Sequence, residues 1–480
     1  MTDDLDDVTR SFARAFQQLA GDVHRLTDDH DGQLNEAVEG HLGATAEGLP
    51  VVGEIFATAE HPNLQLALED LADRSGDATL FGLPIEIMHW SGFGLTNLAS
   101  PQPHAPTFAP IAPVYVNLPI GVDTTLPCVS LGLWLLRHGG TPVVVLQSLG
   151  DPHRGMTNGV KIEVMAVDRA CAVRVLDDLR ELALAHNVYR GQMLSFTFDP
   201  WGSFGLEFHQ RPIVGRDDLI LPAGDLEAIE RHTIGVTTEA HRLRAAGRHL
   251  KRGLLLYGPP GTGKTYTVQY LCSQMPDRTT VVISGQAMGS RGQAAAIART
   301  LQPSTLVLED VDLVAMERTL PGMESNPLLF QLLNEMDGLE EDADIVFVLT
   351  TNRVELLEPA LAARPGRIDQ AVEIRLPDPE ARRRLLERYL QGVTAGPIDL
   401  EDTVTRTDGV SAAFLKELVR RATLVAAATD ADGPLHVDPP DLDAALRDMV
   451  QHGTPILRRI LGAGDGAGPG DRAGDGNGQV

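Results

Sequence analysis

The sequence predicts an α/β domain, a parallel sheet covered by helices, with a small all-helical lid behind it and an α+β domain in front of it. Three observations point there. From residue 217 to residue 392, short apolar runs alternate with helical patterns, as they must when parallel strands are joined by helical crossovers. Residues 393–460 read all-helical, most clearly in "SAAFLKELVRRATLVAAATD" (411–430). Residues 143–208 instead hold the strand-like runs "VVVL", "VKIEVMAV", "MLSFTF" and "FGLEF" around one helical stretch, "DRACAVRVLDDLRELALAHN".

Taken in order, residues 1–78 read as an N-terminal helical segment. Val8, Phe12, Ala15, Phe16, Leu19, Val23 and Leu26 recur at the three-to-four-residue spacing of one apolar helix face, a packing stripe rather than a chemical one. Residues 79–215 form the α+β domain; its first part, to residue 115, is rich in Pro, Gly and Ser and reads irregular. Residues 216–392 are the α/β domain, opening with "DDLILP" as a short strand, and residues 393–460 are the lid. The final segment, 461–480, is Gly- and Asp-rich with almost nothing apolar. Such a segment cannot offset the entropy of ordering, and disorder is expected.

Composition narrows the function. At 43% hydrophobic and 22% charged residues the chain is an ordinary globular protein. No apolar run reaches the roughly 18–20 residues a bilayer crossing needs. The acidic start "MTDDLDD" is unlike a secretory leader, so a cytoplasmic location without a membrane span is expected. A formal net charge of −26 speaks against a nucleic-acid binder. Three scattered cysteines, Cys128, Cys171 and Cys272, suit neither a disulfide framework nor a zinc cluster. His138, His153, His186 and His209 show no metal-ligand spacing, and satisfied structural histidines are the plainer reading.

The strongest local pattern is "GLLLYGPPGTGKTYTVQYL" (253–271): an apolar strand, then G-x-x-x-x-G-K-T, then a helix. In Gly258, Pro259, Pro260, Gly261, Thr262, Gly263, Lys264, Thr265 and Tyr266, the glycines let backbone N–H groups converge on phosphate oxygens. The following helix aims the positive end of its dipole at the same anion. Lys264 then reaches the β- and γ-phosphates of ATP, and the Thr265 hydroxyl ligates Mg²⁺. Lysine is scarce in this chain (Lys161, Lys251, Lys264, Lys416), which sharpens the signal.

"GPPGTGKT", "LLNEMDGL" (332–339), "TTNRVELLEPALAARPGRID" (350–369) and "DGVSAAFLKELVRRA" (408–422) together resemble the AAA ATPases over residues 217–450. The resemblance does not extend to residues 1–215. It implies an AAA module that hydrolyses ATP with Mg²⁺, assembles into a homo-oligomeric ring, usually a hexamer, and remodels proteins recruited by the N-terminal domain. In "TLVLEDVD" (305–312) the acids fall at the end of a buried strand, expected beside the strand of the phosphate loop. Most of the family reads Asp-Glu there, Asp assisting the Mg²⁺ shell and Glu activating water; this chain reads Glu309-Asp310, while Asp312 matches the family's next acid in unshifted register. By position Glu309 then takes the metal role and Asp310 the water role. The reversed order is also similar to the mitochondrial AAA protein of respiratory complex III assembly. Asn352, ending "IVFVLTTN", resembles the residue that senses the γ-phosphate, and Arg364 and Arg367 resemble arginine fingers given to a neighbouring subunit. Where Ala412 stands, the family usually has Gly.

Other features bear on what such a ring acts on. The segment expected to grip an unfolded chain, "SGQAMGSRGQAAAIARTLQPS" (284–304), holds no aromatic residue, and Met288-Gly289 is its nearest candidate. No H-E-x-x-H occurs, so a fused zinc protease is not expected. The expectation is a protein-remodelling ATPase; the alternatives are an ATP-binding assembly or conformational switch with slow or no turnover and, against the acidic charge, a DNA- or clamp-handling ATPase.

Overall fold

The structure, a computed structural model, describes residues 33–84, 94–99, 109–150, 159–198, 204–222, 224–284, 291–312, 343–357, 368–429 and 435–451. The chain divides into two compact units, Met1–Val188 and Tyr189–Val480. The apolar stripe from Val8 to Leu26 and the Gly/Asp-rich tail lie outside the described residues.

The first unit is an antiparallel sheet with helices on both faces. Its elements are α1 (Gln33–Leu42), β1 (Val51–Phe56), α2 (His61–Ser75), β2 (Thr79–Gly82), α3 (Leu95–Ala99), β3 (Val114–Pro119), β4 (Thr125–His138), β5 (Thr141–Leu149), β6 (Val160–Ala166) and α4 (Arg169–Ala185). The sheet order is β1-β6-β5-β4-β2, with β3 also on β4. Residues 1–78 are therefore not purely helical, because "VVGEIF" pairs with β6, and the stretch read as irregular supplies β2 and α3. Period-two alternation sends Trp134, Leu136, Val143 and Val145 to the face covered by α2 and α4. It sends Leu133, Leu135, Val144 and Leu146 to the face covered by α1 and α3. A bulge sits in β4, where Val129 and Leu131 pair with consecutive residues of β3 and Ser130 is the extra residue. The bulge switches the phase, so Val129 and Leu131 point to opposite faces although two apart. Helix α2 fastens this point: His61 Nε2 donates to the Val129 carbonyl at 2.9 Å, and the Gln65 side chain accepts from Val129 N–H at 2.9 Å.

The second unit holds β7 (Met193–Phe198), β8 (Phe204–His209), α5 (Asp225–Glu230), a π turn (Arg231–Gly235), the short helices α6 (Val236–Thr238) and α7 (Ala240–Ala245), β9 (Arg252–Tyr257), α8 (Lys264–Gln274), β10 (Thr279–Ile283), α9 (Arg291–Thr300), β11 (Ser304–Leu308), β12 (Ile345–Thr351) and β13 (Gln370–Glu373). The sheet runs β13-β9-β12-β11-β10-β7-β8, parallel except for β7 with β8. Its central strands are apolar throughout because both faces are covered. Leu255, Leu306, Leu308, Phe347 and Leu349 pack under α9, whereas Leu254, Leu256, Val307, Val346 and Val348 pack under α5 and α8.

Three features differ from the expectation. β7 and β8, read as part of the α+β domain ending at 215, extend the sheet of the second unit by pairing β7 with β10. The segment "DDLILP" is no strand but a 3₁₀ turn, Arg216–Asp218, followed by extended chain. The strand beside β9 is β12, not the acidic β11, which lies one strand further away.

The lid contains α10 (Pro379–Tyr389), β14 (Thr394–Ala395), α11 (Leu400–Arg406), α12 (Ala412–Thr429), β15 (His436–Val437) and α13 (Pro439–Gln451). It begins before residue 393, since Leu385, Leu386 and Leu390 share one core with Val404, Leu415, Leu418 and Met449. It is also not entirely helical, because β14 and β15 pair. Among the described residues no helix is long and apolar enough to cross a membrane.

A buried ion pair anchors the amino ends of the central strands. Arg278 is 2% exposed, and its guanidinium contacts Asp344 Oδ1 at 2.6 Å and the Ser304 carbonyl at 2.6 Å. Removing one member strands the other in a low-dielectric setting. Asp344→Ala is expected to lower stability by about 3–5 kcal/mol, seen as a fall in the urea midpoint of the second unit.

Candidate active site

The phosphate-type loop spans residues 258–263 between β9 and α8. Gly258 has φ +141°, and a Cβ there would lie 2.3 Å from the Ile374 carbonyl oxygen, so only glycine fits. Gly263 has φ +110° and caps α8, with open space where a Cβ would stand. The Thr262 hydroxyl donates to the Pro259 carbonyl at 2.9 Å, and Thr267 donates to the Gly263 carbonyl at 3.0 Å. The loop is thus held from within.

Lys264 is 6% exposed, and its ammonium donates to the carbonyls of Gly258 and Pro259 at 2.9 and 2.8 Å. Burial pushes its pKa down to about 8, against the opposing pull of Asp310 and Asp312. A cation hydrogen-bonded to carbonyl oxygens gains by meeting an anion. The loop, the helix amino terminus and this ammonium together fit a polyphosphate.

The acids follow directly after β11. Glu309 N–H donates to the Ile283 carbonyl at 3.0 Å. Burial raises the Glu309 pKa; a hydrogen bond from the Thr265 side chain opposes that shift, and the Asp310 charge adds to it. Thr265 and Glu309 therefore sit together, a pair of oxygen donors suited to a hard cation such as Mg²⁺. Asp310 takes the left-handed conformation, φ +50°, with its N–H donating to the Thr350 hydroxyl at 3.0 Å. Asn352, at the end of β12, donates from Nδ2 to Asp310 Oδ1 at 3.3 Å. The intervening position of β12 accounts for this contact, since it places Asn352 between the loop strand and the acidic strand. Arg364, Arg367 and the pair Met288-Gly289 lie outside the described residues.

A cavity of ≈ 870 Å³ opens above the loop, lined by Pro260–Tyr266, Asp310 and Asn352. Its other walls were not legible as site residues. Asp218, Leu219, Ile220 and Leu221 come from the segment before α5, and Arg388, Tyr389, Gln391 and Lys416 come from the lid. An Arg388–Asp218 ion pair spans these two walls. The lid docks on the loop itself: Ala413 N–H donates to the Gly261 carbonyl at 3.0 Å. Ala412, where glycine was expected, lines the cavity without disturbing that bond. The signal available for Lys416 was the rarity of lysine and its place one helical turn after Ala413, on the same face of α12.

Comparison with known proteins agrees with this geometry. The family model "ATPase family associated with various cellular activities (AAA)" matches residues 254–376. The proteasome-activating nucleotidase 2 of Halobacterium salinarum is 32% identical over 336 residues, covering 67% of this chain and 76% of that one. The ATP-dependent zinc metalloprotease FtsH 2 of Sphaerobacter thermophilus is 35% identical over 201 residues, 39% of this chain and 30% of the relative. The 26S proteasome regulatory subunit S10B homolog B of Arabidopsis thaliana is 31% identical over 200 residues, 39% of this chain and 50% of the relative. The chain thus spans half or less of the length of these last two.

The Lys264 titration gives a pH signature. Below its pKa of about 8 the ammonium is charged and binds phosphate; above it, binding must take up a proton. Affinity for an ATP analogue is expected to fall from pH 8 upward, by at most about tenfold per pH unit. Isothermal titration from pH 7 to 9.5 checks this, and Lys264→Arg, always charged, should flatten the profile.

Proposed function

Because the chain belongs to the AAA ATPase family, we propose that it hydrolyses ATP with Mg²⁺ as part of a ring of six copies, and uses turnover to remodel, unfold or disassemble client proteins or complexes. The observation that carries this reading is the convergence of Lys264, the Thr265–Glu309 pair and the Asp310–Asn352 pair at the carboxyl ends of β9, β11 and β12. The names of the relatives, a proteasome-activating nucleotidase, a proteasome regulatory subunit and an ATP-dependent protease, support proteins as clients. The unit ending at Val188 serves as the recruiting domain, and the cytoplasm is the compartment of action. Neither nucleic acid nor a fused protease enters this reading.

The loop N–H groups and Lys264 bind the triphosphate; Thr265 and Glu309 would hold the Mg²⁺, which would supply neutralising charge to the phosphates. Asp310 accepts the proton of the attacking water, and Asn352 orients that water. Arg364 and Arg367 of a neighbouring subunit add positive charge at the transferring phosphoryl group. The contact between Thr265 and Glu309 supports reading the reversed pair by position rather than by residue type. The reversal also supports kinship with the assembly-type AAA proteins of respiratory complex III. A second reading, an ATP-dependent switch with slow turnover, is favoured by the same reversal, since Asp310 is one methylene shorter than the glutamate usual at that position.

Two measurements test these roles. Asp310→Asn is expected to keep nucleotide affinity and lower kcat by about 100-fold or more, whereas Glu309→Gln should weaken metal-dependent binding; the opposite pattern reverses the assignment. Mixing Arg367→Ala subunits with Lys264→Ala subunits should restore ATPase activity to a preparation in which either alone is inactive. Absence of rescue counts against fingers acting between subunits.

A further inference from the structure

The end of β12 is held by a carboxylate to which the roles above assign nothing. Asp312 is 3% exposed. Its Oδ1 accepts the Thr351 hydroxyl at 2.9 Å and the Asn352 main-chain N–H at 3.1 Å. Both donors belong to the last two positions before the Asn352 side chain projects, so one charged oxygen fixes the backbone from which that side chain departs. The side chain then donates to Asp310 Oδ1. In the other direction, Asp310 N–H donates to Thr350.

Three consecutive residues of the β12 terminus, Thr350, Thr351 and Asn352, are thus bonded to the two aspartates that follow β11. Asp310 is the one described non-glycine residue at positive φ. Such a conformation persists only where its surroundings over-determine it, and aspartate tolerates it better than most residues. The clasp supplies that over-determination. A buried acceptor with two donors also cannot be removed without leaving those donors unsatisfied.

We infer that Asp312 is a positioning residue for hydrolysis: through Thr351 and the Asn352 main chain it sets where the Asn352 side chain meets Asp310 and the water between them and the γ-phosphate. This inference rests on the ATPase reading. It assigns Asp312 no contact with nucleotide, metal or water; it acts only through Asn352.

Steady-state ATPase and nucleotide-binding measurements on the full chain test it, with Asp312→Ala, Asp312→Asn, Asn352→Ala, Thr351→Val and the double variant Asp312→Ala/Asn352→Ala. Misplacing a group by about 1 Å lowers rates by about 100-fold, so Asp312→Ala should lower kcat by about 10- to 100-fold with nucleotide affinity unchanged. Asp312→Asn, whose amide oxygen can still accept both bonds, should restore most of the loss. The double variant should be no slower than Asn352→Ala alone, because the two residues act in one chain. Multiplicative losses in the double variant, or full kcat in Asp312→Ala, overturn the inference while leaving the ATPase reading intact. Should Asp312→Ala fail to fold, Thr351→Val removes one of the two bonds, and an unchanged kcat there overturns the inference equally. A wild-type protein that binds ATP without turning it over overturns both readings.

Discussion

The parallel pairing of β12 with β9 on one side and β11 on the other is the constraint on which the site depends. Thr351 pairs with Tyr257 and Leu349 with Leu308, so all three strands end at nearly one level. Strands lie about 4.8 Å apart, so β9 and β11 are separated by about 10 Å, too far for their terminal groups to meet without the strand between. A slip of one residue in β12 would turn Thr350, Thr351 and Asn352 to the wrong faces and dismantle both sides of the site at once. The apolar residues of β12 that prevent such a slip are therefore as necessary to the chemistry as the acids.

What the sequence disclosed follows how local each feature is. The loop at 258–265 is defined by residues a few positions apart, whose φ requirements and helix context are visible in one line of text. The acids and Asn352 were also legible, because each ends a strongly apolar run. Strand adjacency was not, since it is decided by pairing between segments dozens of residues apart, and nothing in "STLVL" or "IVFVLTT" says which lies next to β9. The same limitation hid β1, a short strand interrupted by Gly53, and gave β7 and β8 to the wrong sheet. Asp218, Arg388 and Tyr389 escaped notice because a cavity wall built from a 3₁₀ turn and a helix end has no pattern of its own.

The electrostatics of the site run opposite to those of the chain. A protein with net charge −26 keeps one of its four lysines almost wholly buried, hydrogen-bonded to carbonyls rather than carboxylates. Burial lowers the Lys264 pKa and raises that of Glu309, so both groups are destabilised in their charged forms. Each is relieved by what the site would hold: the ammonium by phosphate, the carboxylate by a cation. On two other walls of the same cavity, Arg388 and Asp218 neutralise each other.

The hairpin of β7 and β8 lies outside residues 254–376, yet it covers the edge of β10 with main-chain hydrogen bonds. A truncation beginning at residue 216, the natural choice from sequence patterns, would strip away that cover. Strand β10 would then offer unpaired N–H and C=O groups along an open edge, the kind of surface that recruits other chains into aggregates. The catalytic half of this protein must therefore be cut no later than residue 189 if it is to be isolated in soluble form.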